Sequence, residues 1–378
     1  MIPRSLFDGE HEAFRDSVRK FLQAEIEPHH EAWEEARLVD RSAWLAAGRE
    51  GLLCMTTPPE YGGLGLDRLY PTIMIEELAR TNLTAPNFML HSEIVAPYLV
   101  RYGTEAQKQR WLPRMARGET IGAIAMTEPG GGSDLAAIRT SAIRDGDDYV
   151  INGQKVFISN GQAADLIVVA TKTDRTAGAK GVTLFLVEAD RPGFKRGRNL
   201  KKIGLHGQDT SELFFDDVRV PADNMLGDYD GGFRCLMREL AWERMSLAIR
   251  ATATCEYAVQ WTVAYTRERK AFGTTIFDMQ HNRFKLADWH AQTQVLRAFI
   301  DSCILLVKDG KLDAATAAVA KQQSTELMMT VLDGCLQMHG GYGFMREYLI
   351  GRAYNDARYL KIAGGSNETM LDLIARTL

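Results

Sequence analysis

The spacing of apolar and polar residues divides the chain into three zones. From about residue 7 to residue 120, apolar side chains return at helical spacing, as in HEAFRDSVRKFLQAEI and PTIMIEELARTN. Prolines and glycines gather between these runs, for example in TPPEYGGLG, where they favour loops. The pattern predicts a helical domain over residues 1–120.

The second zone has a period of two, which is typical of strands. Its β-rich runs are TIGAIAM, DDYVINGQKVFIS, DLIVVATKT, GVTLFLVEA and SELFFDDVRVP. Asp145-Gly146 and Asn152-Gly153 are turn dipeptides that we expect to divide them. Because no long helix alternates with the runs, the pattern favours a small antiparallel sheet domain over residues 121–230. It disfavours a doubly wound dinucleotide fold.

The third zone, residues 231–378, returns to helical spacing with long runs. Those that begin WERMSLAIR, QHNRFKLAD and DAATAAVAK are near or beyond the usual upper length of globular helices. Long amphipathic helices with short breaks predict a four-helix bundle. The predicted fold class is therefore α+β, with an N-terminal α-helical domain, a middle antiparallel β-sheet domain and a C-terminal bundle.

One helix of the third zone, ELAWERMSLAIR, carries an acid on an apolar stripe. Leu236, Leu240, Glu243 and Leu247 follow one another at steps of four, three and four, so they share a face. Burying a carboxylate costs free energy of folding unless it is paired, so an unpaired one suggests a functional role. From the residues alone, the more common explanation is an ion pair with Arg244, Arg238 or Arg250.

Composition narrows the class of protein. With 45 basic and 49 acidic residues the net charge is -4, which gives no sign of a nucleic-acid or membrane-surface partner. No apolar run approaches the roughly 20 residues that span a bilayer, and the N-terminus lacks a signal core and has acids too early for a transit peptide. Five scattered cysteines suit a reducing, cytoplasmic location, with thiols used as small core residues. The eight histidines show no ligand spacing, so we expect no metal.

Several glycine-rich and aromatic stretches are candidates for ligand binding. The glycines of AMTEPGGGSD would let backbone N–H groups approach a ligand, although a β-turn with a Ser/Asp cap is the more common explanation of such a run. In NGQKVFISNG, Phe157 and Ser159 lie on one side of a strand, and Phe157 could stack on a flat ring or simply pack. RERKAFG and LQMHGGYGF end helices, and AGGSNETM places a simple cap, Ser366 or Asn367, before the last helix.

In this order and spacing, these motifs resemble the acyl-CoA dehydrogenase family. The resemblance covers essentially the whole chain, and its most specific pieces are AMTEPGGGSD, NGQKVFISNG, RKAFG, QMHGGYGF and GGSNE. HEAFRDSVRKF, HHEAWEEA, the IGAIAMTEP run and the ELAWERMSLA helix are most similar to the long-chain branch. The fold that the resemblance implies agrees with the three zones.

The resemblance implies FAD bound between the β domain and the bundle. The positions that match flavin contacts within one subunit are Ile124, Met126, Thr127, Gly132, Ser133, Phe157, Ile158 and Ser159. Those that match contacts from a neighbouring subunit are Arg269, Phe272, Gln280, Gln337, Gly340 and Gly341. Ser366, Asn367 and Glu368 match the segment that closes over the cofactor. Because contacts cross subunits, the resemblance implies a homo-oligomer, usually a tetramer built as a dimer of dimers.

The reaction that the resemblance implies is α,β-dehydrogenation of a fatty acyl-CoA to the trans-2-enoyl-CoA. A carboxylate removes the α-proton, the β-hydrogen leaves as hydride to the flavin, and the electrons pass to an electron-transfer flavoprotein. The thioester oxygen gains enolate character and needs hydrogen-bond donors. The positions implied to contact substrate are Ser133, Ala241, Trp242, Arg244 and Gly365.

The chain departs from the commonest pattern of the family at the base. Most members have Tyr-Glu-Gly-Thr where this chain has Ala363-Gly364-Gly365-Ser366, and a glycine cannot act as a base. The backbone N–H of Gly364 can still donate to the thioester oxygen. The long-chain and isovaleryl branches carry the glutamate on a bundle helix directly before an arginine, where this chain has Glu243-Arg244. The resemblance thus implies Glu243 as the base and Arg244 as a residue that contacts CoA or orients the site.

Two other functions stay open at this point. One is a relative that reacts with oxygen, such as an acyl-CoA or nitroalkane oxidase, although 378 residues are few for the larger oxidases. The other is a non-catalytic subunit that binds flavin or acyl-CoA. Ala363 and Gly364 are smaller than the usual Tyr-Glu pair, which favours a long or branched acyl substrate.

Overall fold

The computed structural model describes residues 3–378, and its first part is helical. The α-helices are α1 (Gly9–Phe21), α2 (His30–Ala36), α3 (Arg41–Arg49), α4 (Leu69–Arg80), α5 (Ala96–Tyr102) and α6 (Glu105–Ala116). π-helical turns at Leu22–Ile26 and Leu90–Val95 continue α1 and precede α5. The carboxylate of Asp8 accepts the first backbone N–H groups of α1, so this helix begins at a side-chain cap.

The middle of the chain is an eight-stranded sheet. Its strands are β1 (Gly122–Ala125), β2 (Ser141–Asp145), β3 (Asp148–Ser159), β4 (Leu166–Lys172), β5 (Val182–Glu188), β6 (Phe194–Asn199), β7 (Thr210–Pro221) and β8 (Met225–Leu226). They lie in the order β6-β7-β3-β2-β4-β5-β8, with β1 beside β4. The long pairings are antiparallel, as predicted, whereas β1 runs parallel to β4.

The turn predicted at Asn152-Gly153 is wrong, because both residues lie inside β3. The register of β3 against β7 shifts there, and Gly153 has a φ of +147° that accommodates the shift. A Cβ on Gly153 would lie 2.7 Å from Thr140 Cα, so the glycine serves close packing instead of a turn. The hairpin turn at Asp145-Gly146 is confirmed between β2 and β3. The charged strand β6, FKRGRN, was missed because its sequence lacks an apolar alternation.

Three long helices form most of the C-terminal bundle. They are α7 (Gly232–Glu268), α8 (Gln280–Lys308) and α9 (Ala314–His339). The shorter helices α10 (Leu349–Ala357) and α11 (Asn367–Ala375) pack on α9 and complete the bundle. A two-stranded ribbon, β9 (Lys270–Ala271) and β10 (Thr274–Thr275), joins α7 to α8. Since α7 also packs on α4 and β5, it is the element through which the three parts meet.

Three further observations concern the cysteines, the hydropathy of the helices and the potential metal ligands of the described chain. All five cysteines are free and buried, which confirms the prediction that they are small core residues. Across residues 3–378, no helix has the length and hydropathy to cross a membrane. In the same range, no group of histidine, cysteine, aspartate and glutamate side chains is arranged to hold a metal ion.

Candidate active site

Glu243 lies on the buried face of α7 and has no ion-pair partner among the described residues. Its Oε1 atom is inaccessible to solvent and makes no hydrogen bond. Burial raises the pKa of Glu243 to about 7; the charge of Glu239 adds to the rise and Arg244 opposes it. A carboxylate that titrates near neutral pH and keeps a free oxygen is suited to accept a proton.

The ion-pair explanation of Glu243 is therefore wrong. Arg244 turns to the C-terminal segment, where its Nε donates to Gly364 O at 3.2 Å. Arg238 is exposed, and the Arg250 guanidinium lies 6.0 Å from the centre of the Tyr359 ring. Successive helical residues point about 100° apart, so Arg244 cannot share the direction of Glu243.

The segment around Gly364 covers α7 close to Glu243. Gly364 and Gly365 have φ of +66° and +91°, a region that disfavours side chains. A Cβ on Gly364 would lie 2.8 Å from Leu247 Cδ1, and Leu247 is one helical turn after Glu243. Gly364, where the usual base is missing, therefore contacts α7 within one turn of Glu243, which the resemblance implies as its replacement. Among the described residues, the Gly364 N–H has no hydrogen-bond partner.

Phe157 is presented to solvent by a bulge in β3. The register between β3 and β7 shifts between Lys155 and Ile158, and Phe157 takes a φ of +61°, which is unusual for an aromatic residue. As a result 66% of its surface is exposed, while Val156 and Ile158 on either side are buried. An exposed, fixed aromatic ring is suited to stack on a flat ligand.

The glycine loop after β1 is tied to this bulge. Val156 N donates to Thr127 O at 3.0 Å, and Lys155 Nζ donates to Met126 O at 3.0 Å. Lys155 is buried and pairs with Glu128 at 2.8 Å. Gly132 and Ser133 are exposed, so their backbone is accessible to a ligand. The two flavin motifs of the sequence thus lie side by side.

Three predicted cofactor residues direct their side chains inward. Ile124 and Ile158 pack in the hydrophobic cores, so any ligand contact from them must come from the backbone. The side chain of Asn367 accepts from Lys321 and donates to Glu326, and it is buried within the bundle. Its neighbours differ: Ser366 is half-buried and caps α11, and Glu368 is exposed.

The residues implied to reach a neighbouring subunit lie together at one end of the bundle and are exposed. They are Arg269, Phe272, Gln280, Gln337, Gly340 and Gly341. Phe272 stands at the tip of the β9–β10 ribbon with 98% of its surface exposed. Arg269 lies over the ring of Tyr342, which places the ribbon beside the turn that follows α9. The structure therefore keeps these residues apart from Glu243 and groups them on a separate surface.

Sequence reasoning missed a polar cluster beside Trp242. The Arg68 guanidinium stacks on the Trp242 ring at 4.1 Å, and Arg68 Nη1 lies 4.0 Å from Glu93. Burial raises the pKa of Glu93 to about 7 against the opposing charge of Arg68. Ala241, one residue before Trp242 on α7, is half-buried. The arginine precedes α4 by one residue, so no periodicity within a helix could have linked it to α7.

Family models for three domains match the chain in the order of its three parts. They describe the acyl-CoA dehydrogenase N-terminal domain at residues 8–119, the middle domain at residues 123–218 and the C-terminal domain at residues 230–378. The chain belongs to the acyl-CoA dehydrogenase family.

Individual acyl-CoA dehydrogenases resemble it over their length. The mitochondrial long-chain specific acyl-CoA dehydrogenase of Rattus norvegicus is 48% identical over 377 residues, which are 99% of this chain and 88% of the relative. The crystal structure of an acyl-CoA dehydrogenase from Geobacillus kaustophilus has a TM-score of 0.97 at 45% identity and covers 99% of both chains. A glutaryl-CoA dehydrogenase from Mycobacterium smegmatis, in complex with FADH2, has a TM-score of 0.91 at 28% identity and covers 98% of this chain and 95% of its own. The predicted resemblance to the long-chain branch is confirmed.

The prediction of FAD as the cofactor is confirmed by membership of this acyl-CoA dehydrogenase family. The residues around Phe157 fit such a group. The exposed ring offers a stacking surface, and a Cβ on Gly130 would meet nothing within 4 Å, so the neighbouring loop leaves room for a ligand. The Ser159 hydroxyl, which accepts from Gln208 Nε2 at 3.0 Å, lies two residues beyond Phe157.

Proposed function

We propose that this acyl-CoA dehydrogenase acts on long-chain or branched acyl-CoA thioesters with Glu243 as the catalytic base. The observation that carries the proposal is a buried carboxylate with one oxygen free, next to a backbone segment whose Gly364 N–H is also free. In this arrangement one group receives a proton and the other stabilises negative charge. Both are needed to remove a weakly acidic proton next to a thioester.

The residues divide the work between them. Glu243 accepts the α-proton of the acyl chain, and its removal from water keeps the carboxylate poorly solvated and more basic. The N–H of Gly364 donates to the thioester oxygen, with Gly365 beside it. Arg244 orients this segment through its bond to Gly364 O, which favours the orienting role over direct contact with CoA. The residues around Phe157 would hold FAD, which would supply the acceptor for the β-hydrogen and its electron pair.

The small residues at 363 and 364 support a long or branched substrate. The usual Tyr-Glu pair would place two large side chains over α7, whereas Ala363 and Gly364 leave that volume to the acyl chain. Leu247 borders this volume, because a Cβ at residue 364 would lie 2.8 Å from Leu247 Cδ1. Turnover of butanoyl-, isovaleryl-, citronellyl- and palmitoyl-CoA tests the preference, and an optimum at butanoyl-CoA would contradict it.

The base assignment is tested by anaerobic bleaching of the flavin with the same acyl-CoA panel. Glu243→Gln keeps the shape of the side chain and removes its basicity, so we expect bleaching to slow by about 10²–10⁴-fold. Glu239→Gln is the matched control, one turn earlier on α7, and above the acid limb of the pH profile it should bleach at a rate close to that of the wild type. Bleaching of Glu243→Gln at the wild-type rate would rule out Glu243 as the base.

We also propose electron-transfer flavoprotein as the acceptor and a homo-oligomer as the working form. The exposed rings of Phe272 and Phe344, at 98% and 82% of their surface, support a partner subunit on that face of the bundle. Sedimentation of the holoenzyme tests the homo-oligomer, and a monomer would contradict it.

The electron acceptor is tested by oxygen consumption during turnover, which would favour an oxidase over transfer to electron-transfer flavoprotein. The cytoplasmic location remains a prediction, since the rat relative is named as mitochondrial.

A further inference from the structure

Two buried cationic side chains donate hydrogen bonds to consecutive backbone carbonyl groups of the segment that follows Ala363. Lys321 of α9 has no exposed surface, and its Nζ donates to Gly365 O at 2.8 Å and to Asn367 Oδ1 at 2.8 Å. Arg244 of α7 donates to Gly364 O at 3.2 Å. The carbonyl groups of both glycines are therefore turned to the bundle and held from two different helices.

The position of Lys321 is costly for a lysine, which argues for a specific task. It lies on the buried stripe of α9 with Ala317, Ala318, Ser324 and Thr325, where a small or apolar residue would pack without penalty. Burial, together with the nearby charge of Arg244, lowers the pKa of Lys321 to about 8. Two like charges share this site, and the carbonyl and amide oxygens that they bind, together with the carboxylates of Glu326 and Glu368, offset the repulsion.

The carbonyl contacts decide where the N–H groups of the segment point. In a trans peptide the N–H is directed opposite to the C=O, so the Gly365 N–H faces away from Arg244 and the bundle. Before Gly364, the N–H groups of Ile362 and Ala363 donate to Tyr359 O at 2.8 and 2.9 Å. Two glycines with positive φ would otherwise have wide freedom. Anchors on both sides therefore fix the orientation of the free Gly364 N–H.

We propose that Lys321 is a positioning residue for the dehydrogenation: by holding Gly365 O, it keeps the N–H groups of Gly364 and Gly365 aimed at the thioester oxygen. Lys321 does not touch the substrate and acts through the backbone. Arg244 adds a second effect, because its bond to Gly364 O polarises the Gly365 N–H of the same amide and strengthens that donor. The proposal rests on the proposed function, because it assigns these N–H groups to the thioester.

A purely structural role is the competing explanation, since Lys321 also anchors α11 through Asn367. Thr325 separates the two roles: it is one turn further along α9, and its Oγ1 bonds to Asn367 without contacting either glycine carbonyl. Thr325→Val therefore weakens the attachment of α11 through Asn367, while Lys321 still binds Gly365 O. Lys321→Met removes the anchor and the carbonyl contact together.

The test compares wild type, Lys321→Met and Thr325→Val as FAD-loaded holoenzymes. Palmitoyl-CoA supplies the rate of anaerobic flavin bleaching. Hexadec-2-enoyl-CoA with ¹³C in the thioester carbonyl supplies the infrared C=O stretch of the bound thioester, which reports its hydrogen bonds directly. We expect Lys321→Met to bleach about 10-fold or more slowly, below the 10²–10³-fold effect of deleting a donor. The C=O stretch of the bound thioester in Lys321→Met should move toward its frequency in a solvent without hydrogen-bond donors, because the thioester oxygen loses donors. Thr325→Val should keep the bleaching rate and the C=O stretch close to those of the wild type.

Three results would overturn the proposal. One is a Lys321→Met enzyme with wild-type bleaching and an unchanged C=O stretch. Another is an equal change in Thr325→Val, which would assign the effect to the anchor of α11. If Lys321→Met does not retain flavin, Lys321→Leu, which also carries no donor, takes its place, and an unshifted stretch in that variant contradicts the proposal equally. Failure of the proposed function is distinct, because wild type itself would then fail to bleach with palmitoyl-CoA or would show a C=O stretch without a hydrogen bond to the thioester.

Discussion

The carboxylate of Glu243 lies between opposite electrostatic influences on α7. Glu239, one turn earlier, raises its pKa, and Arg244, the next residue, lowers it. Glu239 is itself engaged by Arg101 Nη1 and by the Tyr102 hydroxyl, both at 2.8 Å. The charge of Glu239 that acts on Glu243 is therefore held in place by two residues of α5.

This arrangement predicts the pH dependence of the reaction. Proton removal requires the ionised form of Glu243, and its pKa of about 7 means that kcat/KM should fall as the pH drops through about 7. In Glu239→Gln the neighbouring negative charge is lost and Arg101 is released, so the acid limb should move to lower pH. A pH series of kcat/KM measures both. An acid limb that stays in place in Glu239→Gln would contradict the proposed influence.

At the scale of elements, buried ion pairs join the N-terminal helices to the bundle. Glu76 of α4 accepts from Arg4 at 3.0 Å, from Arg15 of α1 at 3.0 Å and from Arg297 of α8 at 3.1 Å. Only 3% of the surface of Glu76 is exposed, and the arginines hold its pKa below the usual value against the effect of burial. One carboxylate thus neutralises charges from three separate segments.

Removing that carboxylate should be costly. Glu76→Gln would leave cationic groups facing one another with an amide that cannot compensate them, and we expect a loss of about 3–5 kcal/mol in the free energy of unfolding. Denaturant unfolding of the holoenzyme measures the change. Glu12→Gln is the control, because Glu12 pairs with Arg15 at 3.3 Å from an exposed position and should matter little. Equal effects of both variants would contradict the burial argument.

At the scale of the whole molecule, Asp356 connects all three parts of the fold. From α10 its carboxylate accepts from Asn82 Nδ2 at 2.8 Å, from Thr84 Oγ1 at 3.3 Å and from Leu205 N at 2.6 Å. Asn82 and Thr84 follow α4, and Leu205 lies in the connection between β6 and β7. The geometry between sheet and bundle, where FAD is expected to bind, thus depends on one buried acid.

Asp356→Ala should loosen this junction. Each buried donor left without a partner costs about 1–3 kcal/mol, so the thermal midpoint should fall and FAD retention should weaken. Amide hydrogen exchange at Leu205 should become faster, which separates a local opening from general destabilisation. Asp372→Ala is the control, because that residue pairs with Arg376 on the exposed face of α11. An unchanged rate of amide exchange at Leu205 in Asp356→Ala would contradict the claim that Asp356 holds the three parts together.

Much of this architecture was predictable from local patterns. The three zones, the long helices and the hairpin at Asp145-Gly146 follow from periodicities of 3.6 and 2 and from turn residues, which act over a few positions. The misses are equally instructive. The bulges at Gly153 and Phe157 arise where β3 must match the register of β7, and such a mismatch exists only once both strands are paired.

The sequence by itself determined that Glu243 is on a buried helical face and that residue 364 cannot be the base, because each statement concerns one residue type at one position. Only the tertiary structure decided what those residues meet. Arg244 bonds to Gly364 O instead of to Glu243, Asn367 turns inward, and Lys321 reaches Gly365 O from 44 positions earlier. Periodicity assigns a side chain to a face of its helix, but its partner depends on how distant segments pack against that face.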